Sequence, residues 1–368
     1  MADYKIFAIN PGSTSTKIAL IQNEEVLFSK NVAHEASKLD EFDGISAQLP
    51  YRKETIINLL KENNISLEGI SACVGRGGGL FAMEGGTYEV DDLIFEHAKN
   101  GENGVQHPAQ LGPQLAREFA AEYNCPAFVV NPPDVDEYWD LARMTGIKGV
   151  YRTGHLHSLN LKETAIRHAH SHGEKYEEKN YIVCHIGGGI SISAHRQGRM
   201  VDGFDIVGGE GPMAPTRCGS IAVADFLRYI KDKDLKEVKS LCTRSGGLVN
   251  HLGTSDALEV TKRAADGDKY AQMVWDTMVY QICKSIGAMA PVLDCKVDGI
   301  LLGGGMVHNK EMVATIKERC GGIAEVFAYP GEFEMEAMAA GAIRVLSGEE
   351  KVKKYSGKPI FQGFDFVK

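Results

Sequence analysis

The chain has 368 residues, 43% of them hydrophobic and 24% charged, with a formal net charge of −9. At roughly 150 residues per domain this length suggests two domains, each with enough apolar material for its own core, and general disorder is excluded. The acidic balance argues against a nucleic-acid partner, because a phosphate backbone attracts surplus Lys and Arg, but it leaves room for an anionic ligand at a local site.

Tyr4–Ile9 is apolar and predicts a strand, followed by the turn Asn10-Pro11-Gly12-Ser13-Thr14-Ser15-Thr16 and a strand over Lys17–Ile21. After the turn Gln22-Asn23-Glu24, Val26–Lys30 completes a meander of short β-rich runs joined by turn residues. Leu49–Asn63 reads as a helix and Gly69–Val74 as a buried strand, running into Gly75-Arg76-Gly77-Gly78-Gly79, which reads as an unusually flexible loop. Gln110–Tyr123 is helical, and Ala127–Val130 is a strand that stops at Asn131-Pro132-Pro133. The opening pattern then returns: a strand over Tyr181–His185, the turn Ile186-Gly187-Gly188-Gly189, a strand over Ser191–His195, the turn Arg196-Gln197-Gly198, and Met200-Val201. The two units lie about 175 residues apart, roughly half the chain, so the halves share one design. Val274, Met278, Ile282 and Ile286 recur every fourth position and predict a helix over Val274–Met289. Val297–Leu302 is a strand ending in Gly303-Gly304-Gly305, Lys310–Arg319 is helical, and Glu334–Leu346 is a helix closed by Gly348. Strands mixed with helices imply an α/β protein.

The start Met1-Ala2-Asp3-Tyr4-Lys5 lacks a basic segment followed by an apolar one, so no secretory signal is expected. No apolar run approaches the ~18 residues of a membrane span, so neither a membrane nor a nucleic acid is expected as partner, and a cytoplasmic location is. The eight cysteines include no Cys-x-x-Cys, and Cys73, Cys184 and Cys283 have apolar neighbours, as buried reduced thiols do.

Chemistry can sit at the repeated strand–turn–strand units. A tight hairpin of small residues lets backbone N–H groups converge on one anion. The first turn adds the hydroxyls of Ser13, Thr14, Ser15 and Thr16 and the ammonium of Lys17; the second is glycine only and leaves space for a bulky group. Neither is a Gly-x-x-x-x-Gly-Lys-Ser/Thr loop, and Gly-x-Gly-x-x-Gly is absent, which weakens a dinucleotide reading. Each turn alone is also compatible with an ordinary polar hairpin tip; their pairing across the halves favours an interdomain phosphate cleft. Gly303-Gly304-Gly305 between strand and helix permits close approach of a ligand, or simply ends the strand.

Asn10-x-Gly12-Ser13-x-Ser15-x-Lys17, Val74-Gly75-Arg76-Gly77-Gly78, His185-Ile186-Gly187-Gly188-Gly189-Ile190-Ser191, Thr216-Arg217-x-Gly219 and Leu302-Gly303-Gly304-Gly305 occur in this order. With Val135-Asp136-Glu137, Gly247-Leu248-Val249 and Leu252-Gly253-Thr254-Ser255-Asp256-Ala257, the set resembles the acetate kinase family of the actin-like ATPase superfamily, most closely its butyrate kinase branch, over roughly Lys5 to Lys354. The resemblance implies a duplicated, two-domain actin-like ATPase (ribonuclease H-like) fold with an interdomain active-site cleft. The N-terminal domain, on the carboxylate side, would take residues 1–150 joined by 347–368, and the nucleotide-side domain residues 151–346. It implies transfer of the ATP γ-phosphoryl group to a short-chain carboxylate with Mg²⁺, and a homo-oligomer, dimer or higher.

By the same resemblance, Asn10, Ser13, Ser15 and Lys17 match the first phosphate hairpin. Arg76 matches an arginine that pairs with the substrate carboxylate. Arg217 and His157 match groups that donate to the equatorial oxygens of the transferred phosphoryl. His185 opens the second phosphate hairpin with Gly187, Gly188 and Gly189. Gly303, Gly304 and Gly305 match the adenosine loop, and Glu334 matches a glutamate that holds Mg²⁺ through water. Outside the family pattern Arg217 also fits a surface ion pair, His157 and His185 fit core histidines, and Glu334 fits a helix N-terminal acid. One departure is Asn131-Pro132 where the branch carries Asp-Pro; either Asn131 serves on the Mg²⁺ side, or Asp134 or Asp136 supplies the carboxylate. His168-x-His170-x-His172 does not read as a metal site, because no carboxylate stands at ligand spacing. The acid is expected to be butyrate, with isobutyrate, acetate or propionate as alternatives. An actin-like nucleotide-switch ATPase is the alternative of another class; a sugar kinase would need an acidic base that a cationic site does not offer.

Overall fold

The computed structural model describes residues 3–104 and 106–367. The expected domain limits at residues 1 and 368 lie outside the described residues. Two compact units are present: residues 3–136 with Phe333–Phe366, and Glu137–Glu332 with residue 367. The division falls after Asp136 and after Glu332, where the sequence reading placed it after 150 and after 346. The helix Glu334–Leu346 belongs to the first unit because its small residues allow close packing there. A Cβ at Gly341 would come within 2.4 Å of the Val130 side chain.

In the first unit β1 (Lys5–Pro11), β2 (Ser15–Gln22) and β3 (Glu25–Ala33) form the antiparallel meander. β4 (Ala72–Gly75) and β6 (Ala127–Val130) add in parallel, and β5 (Thr87–Glu89) closes the sheet antiparallel, in the order β3-β2-β1-β4-β6-β5. The core joins Phe7, Ile9, Ile18 and Leu20 of the sheet to Ile56 and Leu60 of helix Leu49–Glu62 and to Leu111, Leu115 and Phe119 of helix Leu111–Tyr123.

The second unit repeats the plan. β7 (Asn180–Ile186), β8 (Ile190–Arg196) and β9 (Arg199–Gly203) form the meander, and β10 (Gly299–Gly304) and β11 (Val326–Pro330) add in parallel, in the order β11-β10-β7-β8-β9. The predicted apolar stripe is buried on helix Lys269–Met289, which starts earlier than its stripe because the Asp268 side chain caps the N–H groups of Tyr270 and Ala271. Helix Ser158–Ser171 is unannounced by any apolar stripe. It carries His168 and His170, with His172 just past its end, and His168 is buried against the Phe327 ring with Nδ1 2.6 Å from the Tyr329 hydroxyl. Among the described residues no helix is long and apolar enough to cross a membrane.

Candidate functional site

In the first unit the tip between β1 and β2 is held from behind. Arg52, fully buried on helix Leu49–Glu62, donates from Nη1 to the carbonyls of Gly12 (2.9 Å) and Ser15 (3.1 Å) and to Thr16 Oγ1 (3.0 Å). Its Nη2 reaches the Ser13 carbonyl at 3.4 Å, and its Nε donates to Gln48 Oε1 at 3.0 Å. With these carbonyls occupied by one cation, the tip keeps a compact shape, and burial lowers the Arg52 pKa to about 10. Thr16 Oγ1 in turn lies 2.8 Å from His34 Nε2, and burial, then the Arg52 charge, lowers the His34 pKa to about 4. The sequence reading missed Arg52. Its signal was a lone arginine on the core-facing side of an amphipathic helix, in line with Ile56 and Leu60.

Ser13 stands exposed at the tip, and Ser15 is half-buried. Lys17 is exposed on β2, paired in register with Asn10. Asn10 Nδ2 donates to Glu334 Oε2 at 2.7 Å, and Arg76 Nη1 lies 3.8 Å from Glu334 Oε1. Asn10, Arg76 and Glu334 are therefore one group. Its arginine is buried, and Nη1 has no hydrogen-bond acceptor.

The loop that carries Arg76 is packed, which corrects the expectation of flexibility. Residues 75–80 are buried, and the Arg76 N–H donates to the Ile9 carbonyl at 2.9 Å. A Cβ at Gly75 would lie 2.0 Å from the Gly112 carbonyl oxygen, and one at Gly112 would lie 2.0 Å from the Arg76 carbonyl oxygen. The glycines let helix Leu111–Tyr123 press against the backbone of the arginine loop.

The three candidates for the Mg²⁺ side differ. Asn131 has φ +39°, accepts from the Gly86 N–H with Oδ1 (2.7 Å) and donates its own N–H to the Gly86 carbonyl (3.0 Å). That exchange ties the end of β6 to the start of β5. Asp134 Oδ1 accepts from Asn103 Nδ2 at 2.8 Å, Oδ2 is buried without a partner, and burial pushes the pKa up to about 7. Asp136 is buried, with its N–H on the Met83 carbonyl.

In the second unit His157 immediately precedes helix Ser158–Ser171, and its ring lies 4.3 Å from that of His185 at the end of β7. Ser191, opposite His185 in the hairpin register, places Oγ 2.8 Å from His157 Nδ1. The glycine turn is not uniformly open. Gly188 has free space where a Cβ would stand, whereas a Cβ at Gly189 would lie 1.8 Å from Arg217 Nη1. Gly189 therefore makes room for the arginine, not for a ligand. Thr216 Oγ1 donates to the Gly188 carbonyl at 2.9 Å and fastens the Arg217 loop to this turn. Beneath that loop Gly247 has φ +59° and a Cβ position 1.6 Å from the Ala214 carbonyl oxygen. Arg217 Nε and Nη1 are buried without acceptors, and burial lowers its pKa. Gly303 faces Thr164 at 3.2 Å, Gly304 crowds the backbone of Ile186, and Gly305 is open.

The geometry thus offers two incompletely used guanidinium groups, one per unit, that of Arg76 buried and that of Arg217 partly so, and comparison with known proteins identifies its kind. The family model for the acetokinase family matches residues 142–331. Butyrate kinase 2 of Clostridium acetobutylicum is 41% identical over 358 residues, covering 96% of this chain and 99% of its own. A probable butyrate kinase of Clostridium botulinum (strain Eklund 17B / Type B) is 42% identical over 354 residues, covering 96% of this chain and 99% of its own. Among solved structures, acetate kinase of Porphyromonas gingivalis superposes with TM-score 0.74 at 20% identity, covering 93% of this chain and 100% of that one. A propionate kinase of Francisella tularensis gives TM-score 0.71 at 19% identity, covering 91% of this chain and 98% of that one. The fold is therefore the duplicated α/β fold of the acetate kinase structures, and the chain belongs to the acetokinase family of carboxylate kinases.

Proposed function

We propose that this chain is a butyrate kinase, which transfers the γ-phosphoryl group of ATP to the carboxylate of butyrate and releases ADP and an acyl phosphate, reversibly. The observation that carries the reading is the pair Arg76, which is buried, and Arg217, which is half-buried, each with buried guanidinium nitrogens that lack acceptors among the described residues. A reaction between two anions needs a cation for each, and the full-length identity to butyrate kinases supports the choice of acid. A carboxylate with a reference pKa near ~4 is ionised at neutral pH, so its attack on phosphorus requires no general base. The residues' work is to hold the reactants and stabilise charge on the transferred group.

Arg76 takes the substrate carboxylate, with Asn10 and Glu334 beside it. The hairpin tip with Ser13, Ser15 and Lys17 takes phosphate oxygens, as does the turn at Gly187 and Gly188 below His185, while Gly189 gives Arg217 its place beside them. Gly303, Gly304 and Gly305 line the adenosine. Arg217 and His157 donate to the oxygens of the moving phosphoryl. The oxygen donors of Glu334 and Asn10 suit Mg²⁺, which keeps waters and substrate oxygens rather than a full protein cage, and among the described residues no cluster of three His, Cys, Asp or Glu stands ready as such a cage. Mg²⁺ held there would supply charge neutralisation between the phosphates. Asp136 or Asp134 would support that side, since the Asn131 side chain is engaged by Gly86. The enzyme is cytoplasmic and assembles as a homo-oligomer, dimer or higher, which light scattering on the purified protein tests.

The test of the function is Mg·ATP with acetate, propionate, butyrate, isobutyrate or valerate in the presence of hydroxylamine, which traps acyl phosphates as coloured hydroxamates. Hydroxamate should peak at four carbons. A peak at two carbons would replace butyrate by acetate, and ATP hydrolysis without hydroxamate would replace the kinase by a nucleotide switch.

A further inference from the structure

His157 can donate a hydrogen bond from its outer ring nitrogen only if the proton resides there, and a neutral imidazole has two places to carry it. The residue that decides is on β8. Ser191 is fully buried, and among the described residues its Oγ has two hydrogen-bond contacts, both with His157: the backbone nitrogen at 3.2 Å and Nδ1 at 2.8 Å. The backbone N–H donates to Oγ. Among the described residues the single hydroxyl proton of Ser191 is then left with one acceptor in reach, the Nδ1 lone pair. A neutral ring that accepts at Nδ1 carries its proton on Nε2. The His185 ring, 4.3 Å away and tilted by 32°, packs on the His157 ring and resists its rotation about χ2, which would break the Ser191 contact.

The hairpin makes this arrangement rigid. His185 and Ser191 are directly opposed across β7 and β8, so both side chains leave the sheet on the same face. The spacing His185-Ile186-Gly187-Gly188-Gly189-Ile190-Ser191 thus delivers a stacking ring and a hydroxyl to the same histidine. We propose that Ser191 is a positioning residue that fixes His157 in the Nε2–H tautomer, so that the ring presents a donor throughout the neutral pH range. What that donor serves rests on the carboxylate kinase reading above; the tautomer itself does not.

The test has a spectroscopic arm and a kinetic arm, both on the full chain. Long-range ¹H–¹⁵N correlation on protein labelled in its histidines reports which ring nitrogen is protonated, with the His157 signals assigned by their loss in His157→Gln. The wild type should show Nδ1 as the acceptor and Nε2 protonated at pH 7.5. Ser191→Ala should show the Nδ1–H tautomer or a mixture, and Ser191→Thr, which keeps the hydroxyl, should restore the wild-type pattern. In the hydroxamate assay Ser191→Ala should lower kcat about tenfold, the scale of one hydrogen bond, with KM for butyrate unchanged, and Ser191→Thr should recover most of it. A wild-type ring protonated at Nδ1 overturns the proposal, as does an unchanged tautomer in Ser191→Ala. Equal losses in the Ala and Thr variants, or a change in KM rather than kcat, overturn it too. If the wild type phosphorylates no acid, the kinase reading falls, while the spectrum still decides the tautomer.

Discussion

Arg52 and Arg76 are both buried arginines of one unit, yet their hydrogen bonds assign them different work. Arg52 spends its donors on the backbone of the β1–β2 tip, so its removal takes this partner from the Gly12 and Ser13 carbonyls and leaves the Ser15 carbonyl with the Gly12 N–H. Each such orphan costs about 1–3 kcal/mol. Arg52→Leu should therefore lower the unfolding free energy by at least ~2 kcal/mol in urea titration and raise KM for ATP more than KM for butyrate. Equal rises in both would place Arg52 outside phosphate binding. Arg76 keeps Nη1 unused beside Glu334. Charge-assisted hydrogen bonds contribute about 1.5–3 kcal/mol, so Arg76→Ala should reduce kcat/KM for butyrate by roughly ten- to a hundredfold with little change in thermal stability. Full activity in that variant would remove Arg76 from the substrate site. The Arg-between-glycines pattern stands out in the sequence, whereas Arg52 shows only by its place in line with Ile56 and Leu60, and its role waits on acceptors distant in sequence.

Among the elements, the strands flanking both glycine turns were legible from their apolar runs and turn residues, and the structure places β1, β2, β7 and β8 there. The short strand β5 and helix Ser158–Ser171 were not. β5 has three residues, too few to show a period. The helix buries Lys162, Glu163, Thr164 and His168 along with its apolar residues, so it has no clean apolar stripe. Buried polar side chains such as Lys162 and His168 find partners distant in sequence, Glu137 accepting from Lys162 at 2.8 Å and Tyr329 meeting His168. The glycines of the Arg76 loop were read as freedom and are in fact close packing. Gly112→Ala tests this: its Cβ would meet the Arg76 carbonyl, and overpacking of this kind costs about 1–3 kcal/mol. The variant should melt lower and lose affinity for the acid, because helix Leu111–Tyr123 can retreat only by moving the loop. Wild-type melting and KM would show that the loop yields freely.

For the whole molecule, the buried histidines set the response to acid. His34, His168 and His195 are buried, and burial lowers their pKa to about 4, 4 and 3. Each folded value lies below the unfolded value near ~6.5, so the unfolded chain binds protons first as pH falls. The stability linked to these residues is present above about pH 6.5 and is lost toward pH 4, at up to about 1.4 kcal/mol per pH unit for each ring. Asp134 acts with the opposite sign: its raised pKa of about 7 makes its contribution largest at low pH and lost as pH rises through that value. Melting temperature should fall steeply between pH 6.5 and 4.5, and His195→Gln should flatten part of that slope; an unchanged slope in the variant would mean that His195 titrates alike in the folded and unfolded chain. The sequence by itself determined the two repeated meanders, the order of motifs and the residue types around the hairpin turns, because strand period, turn chemistry and glycine placement are local properties. Only the tertiary structure decided that Arg52 braces the first tip, that Gly189 accommodates Arg217, that Asn131 bonds to Gly86, and that Ser191 meets His157. Each of these depends on which distant backbone or side-chain atoms come within hydrogen-bonding or contact distance, and no local pattern encodes that.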